Sequence, residues 1–241
     1  MAEYKDMKKY KYLIFDADHT LIDYKADEKA AFARLFAAAG LTADERALER
    51  CHYLSEKTWT EVGLYDVTSE YIRREYHNLY KSHVVLLFTR IFAEYPMPYT
   101  AEEAGERFLK ELEGVAKPID GAIETLEALS KRYILLIATN GLNAIQTGRL
   151  KELRGFFHRV FISEALQTIK PHADFFERIK KELSAETDEL LMIGDSLTSD
   201  IAGAMGAGID CCWYNPTEKP NDSGLCPDFE IKNLRELIDL L

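Results

Sequence analysis

The chain has 241 residues, 47% of them hydrophobic and 29% charged, a balance that suits a soluble core domain, alone or carrying a smaller one. The formal net charge of −11 and pI of about 5.1 repel phosphate backbones and exclude a nucleic acid duplex as partner; a small anionic substrate stays admissible, because local cations overrule the global field at short range. Nothing approaches a membrane span, and the apolar run ahead of Asp16 is too short for a signal-peptide core, so no membrane partner and a cytoplasmic location are expected.

The first predicted strand, 12–15, is a short apolar run that ends in Phe15-Asp16-Ala17-Asp18-His19-Thr20-Leu21. Its length and lack of alternation fit a strand buried on both faces, the usual state in a parallel sheet. Two carboxylates two residues apart, just past a strand, can project into one site and hold a hard cation through oxygen. The one on the metal stays ionised and can attack phosphorus. The other, kept off the metal, can act as general acid and then as general base. The competing reading is a solvated Asp-rich turn.

Residues 23–114 have a different texture. They are strand-poor, with helices predicted over 26–39, 43–57, 68–80, 83–95 and 100–112, punctuated by Gly40, Gly63, Pro96-Met97-Pro98 and Gly114. An all-helical block directly after the first strand reads as a cap domain over the strand ends, inserted into a core made of 1–22 and 115–241. Trp59, Tyr65, Tyr71, Tyr76 and Tyr80 can line its inner face and stack on a base, although helix–helix packing is the favoured explanation.

Beyond the block, strands and helices alternate. A helix capped by Asp120 is predicted to about Arg132, with Ile123, Leu126 and Leu129 on one face. Strand 133–138 runs into Thr139-Asn140-Gly141, where a hydroxyl and exposed backbone N–H groups can bind phosphate oxygens, although the triplet is also an ordinary turn. After strand 160–162 comes Lys170-Pro171, ahead of a helix over 173–183. Lys170 can neutralise a nucleophilic carboxylate and a phosphate, or be a plain surface lysine. Strand 190–193 leads to Gly194-Asp195-Ser196-Leu197-Thr198-Ser199-Asp200. Asp195 can complete a cation site, and Asp200 can cap the following helix or orient Asp195 and water. A helix over 200–207, stopped at Gly208, and a strand over 209–214 follow. The alternation predicts an α/β fold, a Rossmann-like doubly wound parallel sheet whose active site lies beyond the carboxyl ends of its strands. Each of these motifs falls at such an end.

Cys51, Cys211, Cys212 and Cys226 form no CxxC pair and read as free thiols in a reducing compartment. His52, His77, His83, His158 and His172 show no metal-ligand spacing and read as satisfied or surface side chains.

Together, these four motifs in this order resemble the haloacid dehalogenase superfamily of phosphotransferases, over the whole chain. The resemblance implies Asp16 as nucleophile, Asp18 as acid/base, Thr139 and Asn140 on the phosphate, and Lys170 as the neutralising cation. It also implies Mg2+ bound by Asp16, Asp195 and the main-chain carbonyl of Asp18, with Asp200 in the metal shell. Dehalogenases of the superfamily normally lack the second carboxylate, so Asp18 points to phosphoryl chemistry. His19 stands where the family pattern has Gly. In the pyrimidine 5′-nucleotidase-like branch that position often departs from Gly, and the Asp-Ala-Asp core with a long helical cap is similar to that branch. The expected protein is a magnesium-dependent phosphomonoesterase, monomer or homodimer, acting on a small phosphorylated metabolite, a pyrimidine nucleoside 5′-monophosphate first. The alternatives are a phosphatase or phosphomutase for a sugar phosphate or phosphoglycolate, and a noncatalytic binding module on the same scaffold.

Overall fold

The computed structural model describes residues 10–114 and 116–241. The N-terminal segment 1–9 and the expected core boundary at residue 115 lie outside the described residues.

In chain order the elements are β1 (Tyr12–Phe15), α1 (Tyr24–Ala38), α2 (Glu45–Glu61), α3 (Glu70–Glu94), α4 (Ala101–Glu113), α5 (Ala122–Leu129), β2 (Ile134–Thr139), α6 (Asn143–Arg149), β3 (Arg159–Ile162) and α7 (Ser163–Leu166). They continue with α8 (Ala173–Leu183), β4 (Leu190–Gly194), α9 (Ala202–Gly206), β5 (Asp210–Tyr214), β6 (Phe229–Ile231) and α10 (Glu236–Leu240). The six strands form one sheet in the order β3-β2-β1-β4-β5-β6, every pair parallel. Because the side chains of a strand alternate, the continuous apolar runs supply two cores at once. Leu13, Phe15, Leu135, Ile137, Leu191 and Ile193 pack with α5 and α10 on one face. Tyr12, Ile14, Leu136, Ala138, Leu190 and Met192 pack with α8 and α9 on the other. The doubly wound parallel sheet expected from the alternation is therefore the observed one, and its strand order reverses at β1.

Helices α1 to α4 have a core of their own. Phe32 stacks on Phe108 at 4.6 Å between ring centroids and meets Phe88 edge-on. Leu142, Ile145 and Ile169, which follow β2 and β3, join this cluster, so the helical block sits on the carboxyl ends of those strands. Thr100 and Glu103 form a reciprocal capping box that starts α4.

Several boundaries differ from expectation. The helices predicted over 68–80 and 83–95 are one helix, α3. The polar Lys81-Ser82 pair does not break it: the Ser82 hydroxyl bonds back to the Asn78 carbonyl at 3.0 Å, and buried Tyr80, His83 and Val84 on either side keep the helix packed. Asp120 is not the cap of α5. Gly121, at φ +81°, precedes that helix, Asp120 pairs with Arg235, and Ile123 is exposed. The helix predicted from Asp200 begins instead with a wide π-helical turn over Leu197–Ile201. Strand β6 and helices α6, α7 and α10 were not predicted; none exceeds seven residues, too short for periodicity to register. Among the described residues, no helix is long and apolar enough to cross a membrane.

Candidate active site

Asp16 extends β1 by one residue, its N–H donating to the Ile193 carbonyl at 2.9 Å. The chain then turns tightly. Leu21 and Ile22 both donate to the Ala17 carbonyl, and His19 sits at φ +64°. Glycine enters that left-handed region without strain, and histidine is among the side chains that tolerate it. This is the physical reason for the glycine of the family pattern at that position. The turn brings Thr20, fully buried, back to the end of β4, where its hydroxyl contacts Asp195 Oδ1 at 3.3 Å and accepts the Asp195 N–H at 3.1 Å.

Four of the expected residues meet here. Lys170, 1% exposed, donates from Nζ to Asp16 Oδ1 at 2.6 Å, Asp200 Oδ1 at 2.7 Å and the Ala138 carbonyl at 2.6 Å. Carboxylate oxygens of Asp16, Asp195 and Asp200 all lie within 4.8 Å of one another. Burial pushes the Asp16 carboxyl well above the usual carboxylate range; Lys170 pulls it back, and Asp200, Asp195 and Asp18 add repulsion. Asp195 is pushed up to about 6 by burial and by Asp200. Burial works to discharge Lys170, but Asp16 and Asp200 outweigh it and hold the ammonium above its ordinary range. Three carboxylates against one ammonium leave negative charge, and hard oxygen donors at this spacing suit a hard divalent cation. Asp200 also accepts the Ser196 N–H at 3.0 Å, so it shapes the loop as well as the cluster. A Cβ at Gly194 would collide with the Asp200 side chain, and only glycine admits this approach.

The Asp18 carboxylate stands apart from that cluster. Its Oδ1 accepts from Arg149 Nη1 and its Oδ2 from Gln146 Nε2 at 3.1 Å. Gln146 Nε2 also reaches Thr139 Oγ1 at 2.5 Å, linking the expected acid/base to the expected phosphate-binding hydroxyl. Asn140 uses its amide on the Lys170 main chain, accepting Lys170 N–H at 2.9 Å and donating to its carbonyl at 3.0 Å. It therefore fixes the lysine loop, while Asn140 also borders the cavity.

Above these groups is a cavity of about 260 Å³ that includes Asp16, Asp18, Thr139, Lys170 and Asp195 in its lining. Its helical walls carry Tyr24, Trp59, Tyr65, Tyr76 and Tyr80. Tyr76 and Tyr80 are buried in the helical core with Trp59 packed against it, as the favoured packing explanation expects, and the same rings also border the cavity. Trp59 is the hub, edge-on to Tyr65, Tyr76, Tyr80 and His83 at 5.1 to 6.3 Å between centroids, and this cluster turns ring surface to the cavity. Tyr71 is 55% exposed and lies off it. Ser55 and Glu56 complete the distal wall. His52, His77, His83 and His172 are satisfied by Glu28, Ser163, Thr58 and the Val67 carbonyl, as expected of non-ligands.

Sequence reasoning missed Thr20, Gln146 and Arg149. Thr20 stands inside the first motif and was open to notice; Gln146 and Arg149 share a face of α6 by their i, i+3 spacing, but nothing in the sequence names their partners.

Comparison with known proteins gives the family of the chain. The family model for haloacid dehalogenase-like hydrolases matches residues 13–214. The pyrimidine 5′-nucleotidase PynA of Streptococcus pneumoniae is 36% identical over 237 residues, 96% of this chain and 95% of the relative. A glyceraldehyde 3-phosphate phosphatase of Methanopyrus kandleri is 33% identical over 239 residues, 96% of this chain and 97% of the relative. Among solved structures, magnesium-bound YfnB of Bacillus subtilis superposes with a TM-score of 0.82 at 29% identity, covering 97% of this chain and 99% of that one. With the family model covering most of its length and these relatives matching it end to end, the chain belongs to the haloacid dehalogenase-like hydrolases.

Proposed function

We propose that the protein is a magnesium-dependent phosphomonoesterase that hydrolyses nucleoside 5′-monophosphates, pyrimidine ones first, through an aspartyl-phosphate on Asp16. The observation that carries this reading is a pair of carboxylates with different surroundings at one cavity: Asp16 against Lys170 in the acidic cluster, and Asp18 held away from it by α6. Two carboxyl groups kept in different environments can take different roles in one reaction.

In the first step an Asp16 carboxylate oxygen attacks phosphorus in line, and the bond to the leaving alkoxide breaks as Asp18 gives it a proton. In the second, water attacks the phosphorus of the aspartyl-phosphate, Asp18 takes the water proton, and the Asp16 carboxylate is released. Lys170 and Thr139 stabilise the phosphoryl oxygens. Asp16, Asp195 and Asp200 would hold magnesium, with the Asp18 carbonyl; when bound, the ion neutralises phosphoryl charge and favours ionised Asp16. Residues 23–114 act as the cap domain that excludes bulk water and selects the leaving group. The base stacks against Trp59, Tyr76 and Tyr80, whose faces and edges suit a flat ring. The likeness to PynA supports a pyrimidine substrate. Four free cysteines, Cys51, Cys211 and Cys212 buried and Cys226 exposed, support a reducing cytoplasmic setting.

A second reading keeps the chemistry and changes the substrate to a sugar phosphate, supported by the likeness to the Methanopyrus enzyme. A panel of nucleotides and sugar phosphates, turned over with magnesium, separates the two. Strong release of phosphate from pyrimidine monophosphates with little from glyceraldehyde 3-phosphate or phosphoglycolate is the expected result. Asp16→Asn should keep its fold, lose turnover, and show no phosphorylated protein by mass spectrometry. Retained turnover in that variant would overturn the mechanism.

A further inference from the structure

Arg149 belongs to none of the four motifs, yet it is 1% exposed. A guanidinium shut off from water must find its partners within the protein. One Nη donates to Asp18 Oδ1, and the other donates to Asp27 Oδ2 at 2.8 Å. Nε has no hydrogen-bond partner among the described residues, and the guanidinium carbon lies 5.0 Å from the Tyr24 ring centroid. The two carboxylates come from different parts of the molecule. Asp18 follows β1, whereas Asp27 stands in the first turn of α1, where the helical block begins.

Asp27 is tied onward. Its Oδ1 accepts the Lys117 N–H at 2.8 Å, on the segment where the chain returns from α4. The outgoing and returning segments are clipped together there. Asp23 N–H donates to the Lys117 carbonyl at 2.8 Å, Ile119 N–H donates to the Leu21 carbonyl at 2.9 Å, and Ile22 bridges Pro118. Arg149 itself ends α6, whose first turn follows the Thr139 loop. One buried side chain therefore joins the Asp18 carboxylate to the crossing between the sheet and the helical block.

We propose that Arg149 is a positioning residue for the reaction: it fixes the Asp18 carboxylate and, through Asp27, makes that fixing depend on the clip between the two crossing segments. The inference rests on the acid/base role proposed for Asp18. Arg149 holds Oδ1 and the Gln146 amide holds Oδ2 at 3.1 Å, so the carboxylate is oriented through both of its oxygens. A buried ion pair is weak evidence for a role in stability alone, because well-packed apolar side chains often replace one without loss.

The test compares two leaving groups. Uridine 5′-monophosphate (or glyceraldehyde 3-phosphate, under the second reading) expels an alkoxide that needs a proton, and p-nitrophenyl phosphate expels a phenolate that does not. In Arg149→Met, kcat/KM should fall at least about tenfold further on the alkyl phosphate than on p-nitrophenyl phosphate, the size expected for a misplaced catalytic group. Arg149→Lys should recover part of that selective loss. In an Asp18→Asn background, Arg149→Met should add no selective loss. Equal losses on both substrates, or a full selective loss again in the Asp18→Asn background, would overturn the inference. If Asp18→Asn itself shows no selective loss, the acid/base reading fails instead. Should Arg149→Met not fold, Asp27→Asn and Arg149→Lys carry the same comparison: a selective loss supports the positioning role and an equal loss overturns it.

Discussion

Lys170 is the buried cation of the acidic cluster. It is buried between Asp16 and Asp200 and also donates to the Ala138 carbonyl. Removing it leaves two buried carboxylates facing each other without a cation, a change that costs about 3–5 kcal/mol when one partner of a buried pair is lost. Lys170→Met should therefore lower stability by that amount in urea unfolding with chelator present, and remove activity. A loss below about 1 kcal/mol, the scale of an exposed pair, would show that the lysine does not hold the cluster together. In the sequence Lys170 stands out only through its place in the order of the four motifs, since by itself it reads equally as a surface lysine. What the structure adds is its burial beside two carboxylates distant in the chain, and burial of a charge is not written in the local sequence. His19 is the converse: the sequence flagged it as a departure from glycine, and the φ of +64° gives the reason the position is special.

At the scale of elements, α3 shows how side chains from different helices set each other's chemistry. His83 lies in its middle, buried, with Nδ1 2.9 Å from Thr58 Oγ1 of α2 and its ring edge-on to Trp59. Burial lowers this imidazole from 6.5 to about 4. As pH falls below 6.5 the unfolded chain takes up a proton that the folded chain refuses, so the contribution to stability is whole above 6.5 and is lost toward 4. The slope is at most about 1.4 kcal/mol per pH unit. Wild type should lose stability across this window more steeply than His83→Gln, measured by urea unfolding at a series of pH values; parallel curves would refute the assignment. His52 acts in the opposite sense, since its hydrogen bond to Glu28 raises it. Its contribution is present below the ordinary imidazole value and is lost as pH rises through the folded one. The same helix explains why two helices were expected over 68–95. Periodicity is blurred by the polar residues at 81 and 82, and only the long partners α2 and α4 show that the helix runs through.

For the molecule as a whole, three apolar clusters, one on each sheet face and one inside the helical block, converge on strand ends that carry an excess of negative charge. A divalent cation that binds the folded site and not the unfolded chain raises stability by mass action, by about 2.7 kcal/mol at a hundredfold excess over Kd. Magnesium should therefore raise the melting temperature of wild type and do so much less for Asp195→Asn. No shift in wild type would refute the proposed metal site. What the sequence by itself determined was the parallel α/β sheet, the helical block after β1, and the four strand-end motifs. Strand burial leaves a continuous apolar run, and a carboxylate just past it has one place to point. Only the tertiary structure decided that Trp59, Tyr76 and Tyr80 face a cavity and that Arg149 joins Asp18 to Asp27. It also decided that Asn140 serves Lys170. Each of these depends on contacts between segments far apart in the chain, which no local pattern of residues encodes.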